Sequence, residues 1–364
     1  MRGEHIQYMQ QALALAERGR LTVSPNPMVG CLIVKDGHIV GEGYHLRAGE
    51  PHAEIHALNA AGPQAKNATV YVTLEPCAHH GRTPPCIDAL IQAGIKTIYI
   101  AAQDPNPLVS GKGIAILQSH GISVHVGILK AEAEKLNEIF FHYMKHKRPF
   151  VIAKWAMSLD GKTVTAAEDD KSISSAHSRQ HSHAIREQVD AILVGANTAK
   201  NDDPALTVRF SKTNGSNIKQ PIRIVLSSNG QLPSTLKLFR KDMPAKTIVV
   251  IADTCDDTFK QSISEMNVEV LKLPRNNEGQ IDLNNLLDKL GELGITSLLV
   301  EGGMTVHESF FSEQLVNKVC VYIAPVIIGT LPKKQWLSEP DVSQIAHDIL
   351  FTGTTETPEE TRHV

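Results

Sequence analysis

A chain of 364 residues, 42% hydrophobic and with a formal net charge of −3, is long enough for two or three domains that each bury a core. Its 36 Lys and Arg against 39 Asp and Glu leave no general basic surface, which argues against nucleic acid as the main partner. No run is long enough to span a bilayer, the start Met1-Arg2-Gly3-Glu4-His5 leads into a helical pattern rather than an apolar signal segment, and five cysteines suit a reducing compartment; a cytoplasmic enzyme without a membrane partner is expected.

In chain order, residues 8–18 have helical periodicity and 29–34 make a short apolar strand. Asp36-Gly37 is a strong turn signal before Ile39-Val40, which predicts a hairpin. There follow a helix over 52–60, a strand over 69–74, a helix over 85–93 opened by Pro85, and a strand over 97–101. A helix over 113–119, a strand over 123–126 and one long helix over 131–144 complete this half. Lys145-His146-Lys147-Arg148-Pro149 then breaks the pattern with charge and a proline, dividing the chain into 1–146 and 147–364. The second half alternates again, with strands at 150–153, 191–194, 222–226, 247–252, 297–300 and 318–324, and helices at 281–290 and 305–311. Both halves therefore read as layered α/β sheets, with no internal repeat.

The chemistry concentrates in Pro51-His52-Ala53-Glu54 and in Pro76-Cys77 through Pro85-Cys86. His52, Cys77 and Cys86 offer one imidazole and two thiolates to a zinc ion, and three protein ligands leave a fourth tetrahedral position open for catalysis. Zinc lowers the pKa of a bound water, and Glu54 is placed to carry protons between that water and a leaving amine. Nucleobase deaminases use such a set as His-x-Glu followed by Pro-Cys-x-x-Cys. Here eight residues separate the two cysteines. On a regular helix His52 would share a face with His56 rather than with Glu54, which leaves His52 and His56 as an alternative pairing. His79 and His80 are further imidazoles in the loop, and Gly111-Lys112-Gly113 before a helix is a candidate phosphate contact. Cys31, Cys255 and Cys320 read as small buried residues, and His177, His181 and His183 as a polar helix face.

Pro-Cys-x-His-x-Gly-x-Thr-Pro-Pro-Cys, from Pro76 to Cys86, resembles the deaminase half of the bifunctional riboflavin-biosynthesis family RibD. Asn26-Pro27-Met28-Val29-Gly30 and Gly41-Glu42-Gly43-Tyr44-His45 are similar to that family too. The likeness continues through Lys154-Trp155-Ala156-Met157-Ser158-Leu159-Asp160-Gly161-Lys162, Val194-Gly195-Ala196-Asn197-Thr198, the stretch from Asp202 to Arg209, and Glu301-Gly302-Gly303. It implies a cytidine-deaminase-like α/β/α domain followed by a dihydrofolate-reductase-like α/β domain, with zinc and NADPH as cofactors. It further implies a phosphoribosyl-pyrimidine substrate, deaminated at the first site and reduced at the second. A homo-oligomer is compatible with it. His79 or Arg82 would then shape the first pocket.

In the second half the resemblance puts Ala156, Ser172, Thr198, Asp202, Gly303, Met304, Thr305, Val306, His307, Glu308 and Ser309 near NADPH. It puts Asp170, Arg186, Leu206, Arg209 and Glu301 near the substrate. Arginine forks suit a phosphate. Where the family carries Gly-x-Ser-x-Trp-Ile-Thr, this chain has Asp170 for the serine and Ser172 for the tryptophan, and 351–364 is polar without the expected closing strand. The alternatives are a deaminase whose second domain binds without reducing, and a structural-zinc interaction module.

Overall fold

The structure is a computed structural model, and it describes residues 2–78, 85–106, 109–158, 161–163, 173–209, 218–256, 258–263, 266–324 and 338–354. The chain divides into two compact units, Met1–Lys147 and Arg148–Val364.

The first unit runs α1 (Arg2–Glu17), β1 (Gly30–Lys35), β2 (His38–Tyr44), α2 (Ala53–Ala61), β3 (Thr69–Leu74), α3 (Cys86–Gln92), β4 (Thr97–Ala102), α4 (Lys112–Ser119), β5 (Ser123–Val126), α5 (Lys130–Leu136) and α6 (Glu138–His146). Asp36 and Gly37 both take positive φ, the geometry a two-residue hairpin turn demands between β1 and β2. The five strands lie in the order β2-β1-β3-β4-β5, antiparallel on the hairpin side and parallel from β3 to β5. Alternation along β1 sends Cys31 and Ile33 to one face, against α2, α3 and α4, and Leu32 and Val34 to the other, against α1 and α5. This is the expected α/β/α sandwich. The predicted long helix over 131–144 is instead two helices. Asn137 interrupts it: buried, its Oδ1 accepts from the Met28 N–H at 2.7 Å and its Nδ2 donates to the Met28 carbonyl at 2.9 Å.

The second unit contains β6 (Phe150–Ser158), α7 (Ala176–Gln188), β7 (Ala191–Gly195), α8 (Ala196–Asp202), β8 (Ile222–Leu226), β9 (Thr247–Ala252), α9 (Thr258–Ser262), β10 (Val268–Leu273), α10 (Leu283–Glu292), β11 (Ser297–Val300), α11 (Met304–Ser312), β12 (Lys318–Ala324), β13 (Ser338–Ile345) and β14 (Asp348–Thr354). Nine strands are ordered β10-β9-β8-β7-β11-β6-β12-β14-β13, parallel as far as β12 and antiparallel beyond it. The near-continuous apolar runs of β7, β9 and β11 are fully buried, as strands covered on both faces require. The missing closing strand needs correction. Residues 348–354 form β14, paired antiparallel along β12 with Leu350 buried opposite Tyr322. The strand begins before the polar stretch, with Ile349 and Leu350, and carries the chain on into it because backbone groups make the ladder along the edge of β12. No helix among the described residues is long and apolar enough to cross a membrane.

Candidate active sites

In the first unit, three chain segments meet at the carboxyl edge of the sheet. His52 is the residue capping α2, with extended backbone (φ −76°, ψ 167°), so helical face geometry does not constrain it. Cys77 lies three residues past β3, and Cys86 opens α3. His52 Nδ1 is 3.2 Å from Cys86 Sγ and 3.5 Å from Cys77 Sγ, and all three ligand atoms lie within 4.8 Å of one another. Tetrahedral zinc with N and S ligands separates its donor atoms by roughly 3.5 Å, so the set fits the ion closely. Among the described residues this is the one cluster of three His, Cys, Asp or Glu side chains with that convergence. His56 stays outside it, its Nε2 buried without a hydrogen-bond partner. His79, His80 and Arg82 lie outside the described residues.

Glu54 is in the first turn of α2 and only 3% exposed. Burial, reinforced by the neighbouring Cys77 charge, pushes its carboxyl up to about 7. A dication held by the three ligands would act in the opposite direction. Hydrogen bonds from the Cys86 thiol, from His52 and from the Cys86 N–H hold the Cys77 thiol well below its usual range, while Cys86, as donor to that sulfur and buried, is pushed up. Helix α2 reaches this position because β2 carries Gly43: a Cβ there would meet the Ala53 carbonyl oxygen at 2.4 Å and the Ala57 nitrogen at 2.6 Å. His45, next along, is buried edge-on to His52 at 5.3 Å, its Nδ1 3.2 Å from the Pro51 carbonyl and its Nε2 3.1 Å from Asn26 Nδ2. Sequence reasoning treats His45 only as part of a motif. Its support of His52 depends on β2 lying beside α2, which no spacing reveals.

The second unit holds two adjoining cavities of about 580 and 280 Å³ that share Thr198 and Gly303 as walls. Ala156, Asp202, Arg186, Arg209, Glu301, Met304 and His307 line the larger; Thr305, Val306 and Ser309 line the smaller. Leu206 and Glu308 line neither. Leu206 is buried with a left-handed backbone (φ 49°), and Glu308 is exposed on α11. Asp170 and Ser172 lie outside the described residues. Gly303 precedes α11 with φ 75°, a conformation that favours glycine, and Gly302 packs so tightly on Val194 that a Cβ would sit 2.7 Å from the Val194 Cβ.

The charges inside the larger cavity are ordered by Glu301. Both its oxygens accept from Arg186, Nε and Nη2 each at 2.6 Å, and Lys154 Nζ stands 3.7 Å away. Burial alone would raise this carboxyl, but Lys154 and Arg186 hold it down at about 2. The arginine expected at a phosphate therefore already has its fork on a carboxylate, and Glu301 fixes where its remaining N–H groups point. His183 is not part of an exposed polar face: it is buried, accepts from the Arg209 N–H at 3.4 Å, and burial with Arg186 and Arg209 nearby lowers it to about 4. His307 is also buried and lowered to about 4, first by burial and then by Lys154, with both ring nitrogens unpartnered. Lys154 and Tyr322 are candidates that sequence reasoning misses. Lys154 Nζ lies over the Tyr322 ring at 5.7 Å, and the Tyr322 hydroxyl is 2.8 Å from His181 Nδ1. A lysine in an apolar strand has no sequence signature of its own.

Three soft ligands, with no fourth protein ligand converging on them among the described residues, beside a buried glutamate, fit a zinc-dependent hydrolase of the deaminase class. Comparison with known proteins agrees for both units. Residues 2–102 match the cytidine and deoxycytidylate deaminase zinc-binding region, and residues 149–359 match the RibD C-terminal domain. The riboflavin biosynthesis protein RibD of Aquifex aeolicus is 47% identical over 322 residues, 88% of this chain and 87% of its own. That of Escherichia coli is 45% identical over 331 residues, 89% of this chain and 88% of its own. Among solved structures, Acinetobacter baumannii RibD superposes with a TM-score of 0.86 at 37% identity, covering 98% of this chain and 99% of that one. A diaminohydroxyphosphoribosylaminopyrimidine deaminase/5-amino-6-(5-phosphoribosylamino)uracil reductase from Thermotoga maritima does so with 0.82 at 33% identity, covering 97% and 99%. The chain belongs to the RibD family. It is a bifunctional enzyme of riboflavin biosynthesis, a zinc-binding deaminase joined to a reductase with a dihydrofolate-reductase-like fold.

Proposed function

We propose that residues 1–146 deaminate 2,5-diamino-6-(5-phosphoribosylamino)pyrimidin-4-one at C2, and that residues 147–364 reduce the ribosyl group of the product to ribityl with NADPH. The observation that carries the first step is the convergence of His52, Cys77 and Cys86 beside the buried Glu54. These three residues would hold zinc, which when bound makes water acidic enough to ionise near neutral pH. Glu54 takes up the proton that the attacking water sheds and passes it to the departing amine, a transfer its burial protects from bulk solvent.

For the second step, Arg209 and the N–H groups of Arg186 not taken by Glu301 and the Thr207 carbonyl bind the substrate phosphate, and Glu301 keeps Arg186 in register. With His183 and His307 neutral at physiological pH, the cavity offers its positive charge through Lys154 and the arginines. Thr198, Asp202, Gly303 and the first turns of α11 form the cofactor wall, with Ala156 opposite and the unpartnered His307 nitrogens among the groups a cofactor would satisfy. When bound, NADPH supplies the hydride for the ribosyl C1′. Leu206, Asp170 and Ser172 belong to the substrate and cofactor sets by resemblance to the family. Five free thiols support a reducing, cytoplasmic setting.

Incubation of the zinc-loaded chain with the diaminopyrimidine ribosyl phosphate and NADPH, followed by product mass, tests both steps. An amino-to-oxo exchange plus two hydrogens is expected. Exchange without the hydrogens would reject the reductase assignment and implicate Asp170 and Ser172.

A further inference from the structure

The segment after β4 is tied to the metal-ligand loop by one side chain, Glu75, which stands between the end of β3 and Pro76-Cys77 and is 3% exposed. Its Oε2 accepts from the N–H groups of Asp104 at 3.2 Å and Gly111 at 3.0 Å. Its Oε1 accepts from Gly113 at 3.0 Å and Ile114 at 3.3 Å. A carboxylate only accepts, and has about four lone-pair sites, so these donors fill it. Three of them come from the N-terminal turn of α4, where a phosphate would need free N–H groups. Glu75 already occupies that helix end, which sets aside Gly111-Lys112-Gly113 as a phosphate contact. Gly113 is so close to the metal-ligand loop that a Cβ would meet the Pro76 carbonyl oxygen at 2.4 Å.

Strands β3 and β4 are parallel with Leu74 opposite Ala102, so Cys77 and the turn at 104–106 leave the sheet side by side at its carboxyl edge. Ligands of open α/β sheets bind at that edge. Cys77 itself is fixed from the other side, by the Cys86 N–H to its Sγ at 3.2 Å and the Ile87 N–H to its carbonyl at 3.4 Å. The load on Glu75 is therefore Asp104 and the start of α4 rather than the metal ligand.

We propose that Glu75 is a positioning residue for deamination: its buried carboxylate fixes residues 104–106 and 109–114 against the metal-ligand loop, where they serve as a wall for the substrate. The proposal rests on the deaminase reading of this site. Glu75→Gln keeps shape and volume but turns an NH2 group toward two of the four N–H donors. The KM for the diaminopyrimidine should rise roughly ten- to hundredfold, the effect of losing a charge-assisted hydrogen bond. The deamination kcat, zinc per chain and NADPH affinity should stay near their unsubstituted values. Amide exchange at Gly111, Gly113 and Ile114 should quicken, a readout that needs no turnover. Gly113→Ala, which presses α4 away from Pro76 without changing charge, carries the same expectations and decides the matter if the glutamine variant does not fold. An unchanged KM and unchanged amide exchange, or loss of zinc in step with activity, overturns the proposal. Absence of deamination by the unsubstituted zinc-loaded chain would instead defeat the deaminase reading.

Discussion

On the proposed function, Glu54 and the metal ligands divide the first reaction between them, and they separate experimentally. A glutamine at position 54 keeps the volume and the contact with Cys86 but has no basic oxygen to take up a proton. Glu54→Gln should lower the deamination rate by about 10²–10⁴-fold while zinc per chain and the reduction of a pre-deaminated substrate remain. Metal analysis beside a mass-based assay checks it, and loss of metal in parallel would show Glu54 to be a support of the cluster instead. In the second unit, three buried groups make stability depend on pH with one sign. His183 and His307 titrate near 4 in the folded chain against about 6.5 unfolded, so the unfolded state binds more protons as pH falls through that window. Their contribution is complete above pH 6.5 and lost toward pH 4, on the order of 3 kcal/mol for each histidine. Glu301, at about 2 when folded, adds a loss of the same sign below its unfolded value. The first unit has no tryptophan, and in the second Trp155 packs against His307 and Phe311, so tryptophan emission reports the unfolding of the second unit. The melting temperature read that way should fall between pH 7 and pH 5, and less steeply in His307→Phe; a flat profile would contradict the buried neutral histidines. His52, Glu54, Cys77 and Cys86 were legible in the sequence because soft ligands and a nearby carboxylate have few other reasons to cluster among prolines and glycines. The Arg186–Glu301 pairing was not, since the two residues are 115 positions apart and meet only through α7 and β11.

Elements with a strong period and an unambiguous boundary matched the sequence: β3, β5, β8, β9, β11 and β12 occupy the predicted spans. Those decided by a distant partner did not. Asn137 is a poor helix former that suits a cap, but the partner that holds it out of the helix, the Met28 backbone pair, lies 109 positions away. Strand β14 straddles the start of the polar C-terminal stretch, and it is paired on both sides. Its first residue also caps α7, for the buried Asp348 carboxylate accepts from the Ser175 N–H and, at 2.5 Å, from the Ser178 hydroxyl. Helix α7 in turn brings Ser178, Ser182, His183 and Arg186 to the larger cavity. Asp348→Ala strands two buried donors at the start of that helix, a cost of about 1–3 kcal/mol. The tryptophan-monitored melt should drop accordingly, and the KM for the phosphorylated substrate of the reductase should rise because Arg186 is carried on the same helix. Deamination by the variant should match that of the unsubstituted chain. A melt unchanged by the substitution would mean that the Ser175 side chain, which already accepts from the Ser178 N–H, caps α7 by itself.

The described cores fall within one unit each: one cluster is built from residues 151–323, and the clusters beside α1 and α2 from residues 8–141. Among the described residues, the cluster that would hold zinc comes from the first unit, and the binding energy of that zinc would be folding energy only for the structure those ligands tie together. The larger cavity and its charges draw on residues 154–322. Stripping the metal with a chelator should therefore abolish deamination and lower the calorimetric transition of the first unit. NADPH-dependent reduction of the deaminated aminouracil, and the tryptophan-monitored melt, should persist. Restoring zinc should return the first activity without altering the second. If reduction fell together with deamination under chelation, the reductase would depend on the metal-held structure of the first unit, and two self-contained sites on one chain would be the wrong description. Retention of reduction at full rate would mean that the sequence joins two chemistries, each complete within its own sheet.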